Sequence, residues 1–414
     1  MLKKLSFSFL DSIAVFLGTF IFRILIIRNF SPSEYGVFVI IWAIFDFFNV
    51  LVYGFSDRGA MRLFVRNKRI EILSFLFIYR LTLFFIIFLI NSIFGEKILS
   101  IFNGNFKKDY LIIFSFVYLT GFFRVLSRSL FENLIKFKIL FFHNLFYYII
   151  LNTLIFFQII NNSLTVYNLL KTILIAEVIG SIEGLFLMFI FLNRDIKLSF
   201  NMKRFLFYSK EIVNYGRYSM GIGFSMMFYT QIDSLVIGSF LTTREVGIYD
   251  VGKKLLPIAR LFSNSLSKYL FPVVAKERDL KKVRDFYFKM LKLGVGLGSI
   301  LALFNFIFSK YIVLTLFGND YISAIGIVKF FSLYFILHPI INLSGNTLGG
   351  LNYPKYDFYN LLITMSVNFI LDITLIKYFG LWGVAFATLF SVFLGGMLNF
   401  YRVNQITTRR IKLG

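Results

Sequence analysis

Long apolar stretches follow one another from one end of this chain to the other, and no other feature restricts its fold so far. Hydropathy marks twelve of them, at about 9–27, 36–55, 72–94, 110–126, 139–160, 168–192, 211–240, 247–275, 286–309, 323–350, 357–376 and 382–402. About twenty apolar residues in a helix cross the ~30 Å hydrocarbon of a bilayer. There the backbone must satisfy its own hydrogen bonds, which selects helices. The expectation is an all-α integral membrane protein of twelve transmembrane helices. Composition agrees: 58% of the 414 residues are hydrophobic and 16% charged, against about 45–50% and 25% in soluble proteins. Met1-Leu-Lys-Lys leads into an apolar run with no small-residue cleavage site, so the first stretch reads as a retained span.

The net charge of +23 would suggest nucleic acid as the partner of a soluble chain. Here the positive-inside rule accounts for it. With the N-terminus inside, 29 of the 44 Lys and Arg residues fall in inner segments and 7 in outer ones. The expected topology is therefore N-in, C-in, with no nucleic-acid partner. The chain has no cysteine, which excludes disulfides, thiolate metal sites and thiol nucleophiles. His143 and His338 are too few and too far apart for a metal centre, and His338, before Pro339 within a span, reads as structural or as lining a cavity.

The chain repeats itself. Phe30-Ser-Pro-Ser-Glu34-Tyr35-Gly36-Val37-Phe38 follows the first span, and Phe240-Leu-Thr-Thr-Arg-Glu245-Val246-Gly247-Ile248-Tyr249 follows the seventh. Six spans separate the copies, so both enter the membrane in the same direction, as in parallel-repeat carriers. The reading is two six-helix bundles, 1–200 and 201–414, joined at the basic connection 193–210.

Charge within spans is costly and usually faces protein or water along a pathway. The eighth span carries Asp250, Lys253, Lys254, Arg260, Asn264 and Lys268, which at 100° per residue form one stripe about 120° wide. Lys254 and Arg260 are expected to line a cavity, and Lys268 belongs to the inner interface. Arg23 is deep in the first span and reads the same way, whereas Arg217 is nearer the inner side, where snorkelling competes. Aligning Phe38 with Tyr249 sets Asp46 against Pro257 and Asn49 against Arg260. The anion-binding side is thus expected in the C-terminal half. Asp233 either pairs with a Lys of the eighth span or binds a coupling cation or proton. Glu177 and Glu183 share a span with Gly180 and Gly184, a spacing that permits close helix packing. They read as a buried structural pair or a proton relay.

Three motifs carry a family resemblance. The first is Arg28-Asn-Phe-Ser-Pro-Ser-Glu-Tyr-Gly. The second is Gln231-Ile-Asp233-Ser-Leu-Val-Ile-Gly238-Ser-Phe-Leu with the following Val246-Gly-Ile-Tyr249. The third is Leu270-Phe271-Pro272 after a Ser-rich helix. In order and spacing the chain resembles the polysaccharide-biosynthesis flippases, Wzx-like O-antigen transporters of the multidrug/oligosaccharidyl-lipid/polysaccharide (MOP) exporter superfamily. It departs from them at Asn29-Phe30 and Ser31, changes that leave the charge chemistry alone. The resemblance implies a MATE-like fold in the cytoplasmic membrane and a polyprenyl-diphosphate-linked oligosaccharide as substrate. It also implies membrane lipids, a polysaccharide polymerase and a chain-length regulator as partners. Alternating access of the two bundles around a cationic cavity would carry the diphosphate, which Arg and Lys suit. The site residues on this reading are Arg23, Lys253, Lys254, Arg260 and Arg217 for substrate. Asp233, Asp250, Glu177 and Asp46 serve ion coupling or charge pairing.

No resident cofactor is expected, and a proton gradient, a sodium gradient or the membrane potential is the candidate drive. Gly294-Val-Gly296-Leu-Gly298 lies within an apolar span and follows no strand, so it reads as helix packing, not a nucleotide loop. Gly54-Phe-Ser-Asp57-Arg58-Gly59 is one residue short of the basic loop of major-facilitator carriers. Two other classes remain. A cation-coupled multidrug exporter of the same superfamily would need an acidic, aromatic pocket. A membrane glycosyl-transfer enzyme would need acidic catalytic loops, and the predicted outer loops are short.

Overall fold

The computed structural model describes residues 2–54, 58–192 and 199–411. Among them there is no β-strand. The backbone clusters into two units, Met1–Thr230 and Gln231–Gly414. The first holds α1 (Leu2–Asn29), α2 (Pro32–Gly54), α3 (Arg58–Asn67), α4 (Ile70–Leu99), α5 (Lys108–Thr120), α6 (Phe122–Asn133), α7 (Phe137–Ile160) and α8 (Val166–Leu192). Helix α9 (Met202–Phe240) passes from the first unit into the second. The second continues with α10 (Thr243–Lys253), α11 (Leu256–Lys276), α12 (Leu280–Leu316), α13 (Ala324–Phe330), α14 (Tyr334–Gly350), α15 (Pro354–Phe379) and α16 (Leu381–Ile411).

Among the described residues nine helices are long and apolar enough to cross a membrane, or ten if α5 and α6, bent by 45°, form one span. The stretches expected at 211–240 and 247–275 are not among them. The second is not one helix at all. It breaks between Lys253 and Leu256, and the cause is local. Pro257 sits in the first turn of α11, where it brings no N–H and its ring would collide with the carbonyl of Lys253 if the helix ran on. A single 100° phase therefore does not carry from Asp250 to Lys268. The loop motif at Gly54–Gly59 and the start of the basic connection, 193–198, fall partly or wholly outside the described residues.

In the first unit, α2 supplies an aromatic core. Phe45 stacks on Phe114 at 4.4 Å and on Tyr118 at 4.6 Å, and the Tyr118 hydroxyl donates to the Phe45 carbonyl at 2.6 Å. Helices α6 and α8 approach closely because Gly180 and Gly184 face Arg124 and Ser127; a Cβ on Gly180 would come within 2.7 Å of the Arg124 side chain. The start of α9 is tied to α4 by Glu71, fully buried, which accepts from Arg204 Nε at 2.8 Å and from the Asn201 backbone at 3.1 Å.

In the second unit α14 is packed against α11, α12 and α16. Gly294 and Gly298 of α12 make one of these contacts possible. A Cβ on the first would lie 2.9 Å from the Leu343 side chain, and one on the second would strike the Phe335 carbonyl. Gly296 faces away, with nothing within 4 Å. The glycine run is thus a packing surface, as its apolar setting predicts.

Candidate functional site

The repeated turns are the frame on which the charged groups hang. Before α2, the Ser31 N–H donates to Glu34 Oε2 at 3.0 Å and the Glu34 N–H donates to Ser31 Oγ at 3.3 Å. Before α10, the Thr242 N–H donates to Glu245 Oε2 at 3.0 Å, and a capping box again closes. Each Glu thus satisfies a donor that the helix start would leave open. This is the physical content of the repeat: two identical helix entries, offset by 210 residues before the turn (Phe30, Phe240) and by 211 after it (Glu34, Glu245).

The same offsets equate Arg23 with Asp233, Phe38 with Tyr249, and Trp42 with Lys253. In the first unit the Arg23 guanidinium lies 5.3 Å from the Trp42 ring, 5.8 Å from Phe38 and 5.9 Å from Phe22. In the second unit Asp233 Oδ2 accepts from Tyr249 at 2.9 Å, Lys253 Nζ at 3.1 Å and Thr388 at 3.2 Å. The helix contact is the same and the charges are inverted: a cation on aromatic faces in one repeat, a buried carboxylate held by phenol and ammonium in the other. The aromatic faces attract the guanidinium electrostatically.

Asp372 of α15 lies against Asp233. It is fully buried, and neither of its oxygens, nor Asp233 Oδ1, has a hydrogen-bond donor. Asn368, one turn earlier, is also buried, with its amide nitrogen unbonded. Two buried carboxylates thus lie together with three donor-free oxygens, and the Lys253 ammonium is bonded to Asp233 alone.

The rest of the eighth-span stripe divides at the helix break. Lys254 is ion-paired with Asp250, so both charges are matched within α10 and its cap. Arg260 begins a second set on α11: its Nε donates to the Tyr334 hydroxyl at 3.2 Å, and His338 stacks on the Tyr334 ring at 5.1 Å. One turn on, Asn264 Oδ1 accepts from Asn342 at 2.9 Å, and Ser267 donates to Asn342. Tyr334, His338 and Asn342 recur every four residues, so α14 presents a polar face to α11. Hydropathy averages over such a face, and only its four-residue spacing could have revealed it.

The remaining site residues are scattered. Glu177 receives both Arg124 Nε at 2.5 Å and an Arg124 terminal nitrogen at 2.7 Å, with Tyr147 donating at 2.8 Å. Arg124, near the end of the stretch expected at 110–126, is carried on α6, its guanidinium 4.0 Å from the Tyr147 ring. Glu183 does not join Glu177 but bonds His143, which also meets Ser127 at 3.0 Å. Asp46 is half-buried on α2, and Arg217 is exposed on α9.

Comparison with known proteins gives a consistent picture. Residues 25–326 match a family described as polysaccharide biosynthesis protein. Two proteins of Haloferax volcanii are similar to the chain. One, named "Probable flippase AglR", is 29% identical over 45% of this chain and 40% of its own length. The other, named "Probable low-salt glycan biosynthesis flippase Agl15", is 26% identical over 51% and 46%. The match spans less than half the length of each of these relatives. Among solved structures, a lipid II flippase MurJ in an inward closed conformation superposes with a TM-score of 0.75 at 18% identity, covering 97% of this chain and 87% of that one. An inward-facing multidrug resistance MATE family transporter of the MOP superfamily gives 0.72 at 14% identity, covering 98% and 96%. The fold is therefore of the MurJ and MATE type.

Proposed function

Because the chain belongs to the polysaccharide biosynthesis protein family, we propose that it is a flippase carrying a polyprenyl-diphosphate-linked oligosaccharide across the cytoplasmic membrane. In this reading it has twelve spans in two repeats, 1–200 and 201–414, with both termini inside. It works as a carrier, not an enzyme, alongside a polysaccharide polymerase and a chain-length regulator. The names of the two Haloferax relatives support a flippase, and that of the second supports a glycan as its cargo.

The observation that carries the proposal is Arg260 on α11, held by a neutral phenol beside His338 and followed by exposed Asn264 and Lys268. A guanidinium so placed can bind phosphate oxygens by a bidentate fork while the amides take sugar hydroxyls. Arg23 on its aromatic faces offers a second cation in the first unit. Lys253 and Lys254 serve less directly, since each is already committed to a carboxylate.

A second element of the reading concerns drive. The donor-free oxygens of Asp233 and Asp372 suit uptake of a proton or a monovalent cation, with Thr388 beside them. Occupancy would compete with Lys253 for Asp233. That competition is a route by which a gradient can act on α10.

Proteoliposomes holding a fluorescent lipid-linked oligosaccharide test both elements. Arg260→Gln should lower flipping about 10–100-fold, the loss of a charge-assisted hydrogen bond of about 1.5–3 kcal/mol. Asp372→Asn should flip at a rate indifferent to an imposed sodium or proton gradient. Full activity in Arg260→Gln would sink the substrate site. Lost drug tolerance on deletion, with surface glycan intact, would favour the multidrug exporter.

A further inference from the structure

Away from these groups, the second unit carries an apolar groove on its outer face near the Leu316–Ala324 and Phe379–Leu381 turns. One chamber of about 600 Å³ lies between α12, α13 and the start of α16, lined by Leu303, Phe306, Phe330, Leu333, Trp382 and the stem of Lys329. A second chamber of about 360 Å³ runs between Phe330, Leu375, Phe379 and Phe386. The two share Phe330 and Trp382, whose rings meet edge to face at 5.8 Å and form a ridge between them. The indole is half exposed along that ridge.

The groove holds one charge. Lys329 is exposed, its ammonium 5.5 Å from the Phe306 ring, and it makes no ion pair among the described residues. The hydroxyls in the wall are already committed: Ser299 donates to the Val295 carbonyl and Ser332 accepts from Asn305. Lys329 lies about 8 Å along α13 from its turn, by helical rise. Trp382 is two residues past Gly380. Near the ends of membrane-crossing helices, indoles and ammonium groups meet lipid headgroups.

We propose that this groove is a binding site for an anionic glycerophospholipid, with the phosphate on Lys329 and one acyl chain in each chamber beside Trp382. Two chambers fit two chains, whereas a polyprenyl phosphate has one. The groove also lies at one end of the helices, in one leaflet, so it suits a resident lipid better than a transported one. The site is independent of the flippase reading.

Native mass spectrometry of the purified full chain tests it, with phosphatidylglycerol, phosphatidylcholine and undecaprenyl phosphate as probes. Phosphatidylglycerol should be retained about fivefold better than phosphatidylcholine, the worth of one lysine near an anionic headgroup. Lys329→Gln should erase that preference, while Lys310→Gln, on the same side but outside the groove, should keep it. Leu303→Trp, which fills a chamber, should reduce retention of both glycerophospholipids. Equal retention of the two by the unaltered chain, or an unchanged preference in Lys329→Gln, would reduce the groove to ordinary lipid contact. Displacement of phosphatidylglycerol by undecaprenyl phosphate at equal concentration would overturn the choice of ligand.

Discussion

At the scale of single residues, the second unit is governed by a charge imbalance. Asp233 and Asp372 are buried together, and Lys253 is bonded to the first of them. Removing one partner of a buried ion pair costs far more than removing both, because the survivor keeps its desolvation penalty. Lys253→Met should therefore destabilise the protein by about 3 kcal/mol, and adding Asp233→Asn should restore most of that. Thermal unfolding in detergent checks both; a single variant that melts with the parent would show that the ammonium is dispensable. Asp233 was legible as a site residue because it stands in a motif. Pairing with a Lys of the eighth span is one of the two readings the sequence leaves open for it, and the fold makes that Lys Lys253. The company of Asp372, 139 residues further on, was not legible, since nothing in either neighbourhood refers to the other.

At the scale of elements, local chemistry and packing part ways. The two capping boxes were visible as a repeated Glu-x-Gly, because a helix start is decided by residues three apart. The interruption of the eighth span at Pro257 was equally local, yet a stripe drawn at 100° per residue passed through it. Helix contacts are decided by side-chain volume at the crossing. Gly298→Val should cost about 2 kcal/mol by overpacking against the Phe335 carbonyl. Gly296→Ala, with open space around it, should stay within about 0.5 kcal/mol of the parent. Equal melting shifts in the two would mean that α12 does not bear on α14 through Gly298. The Arg124–Glu177 pair belongs to this scale too. Its members lie 53 residues apart and meet only because Gly180 and Gly184 let α8 come down on α6.

At the scale of the whole molecule, the absence of cysteine makes topology directly testable. Asn319→Cys, in the exposed turn after α12, should react with a membrane-impermeant maleimide in intact cells. Lys281→Cys, exposed at the start of α12, should react only after permeabilisation. The reverse pattern would invert the orientation inferred from loop charge. The sequence by itself determined the solvent of this protein, the repeated entry into the membrane and the family to which it is similar. Apolar length, capping and motif order are properties of neighbouring residues. Only the tertiary structure decided which charged groups meet, as Lys253 meets Asp233 and Lys254 meets Asp250. Apolar length says that a helix crosses the bilayer but leaves its rotation about its own axis open. That rotation is settled by packing, and it makes Arg23 an aromatic-bound cation while its repeat counterpart Asp233 becomes a buried carboxylate.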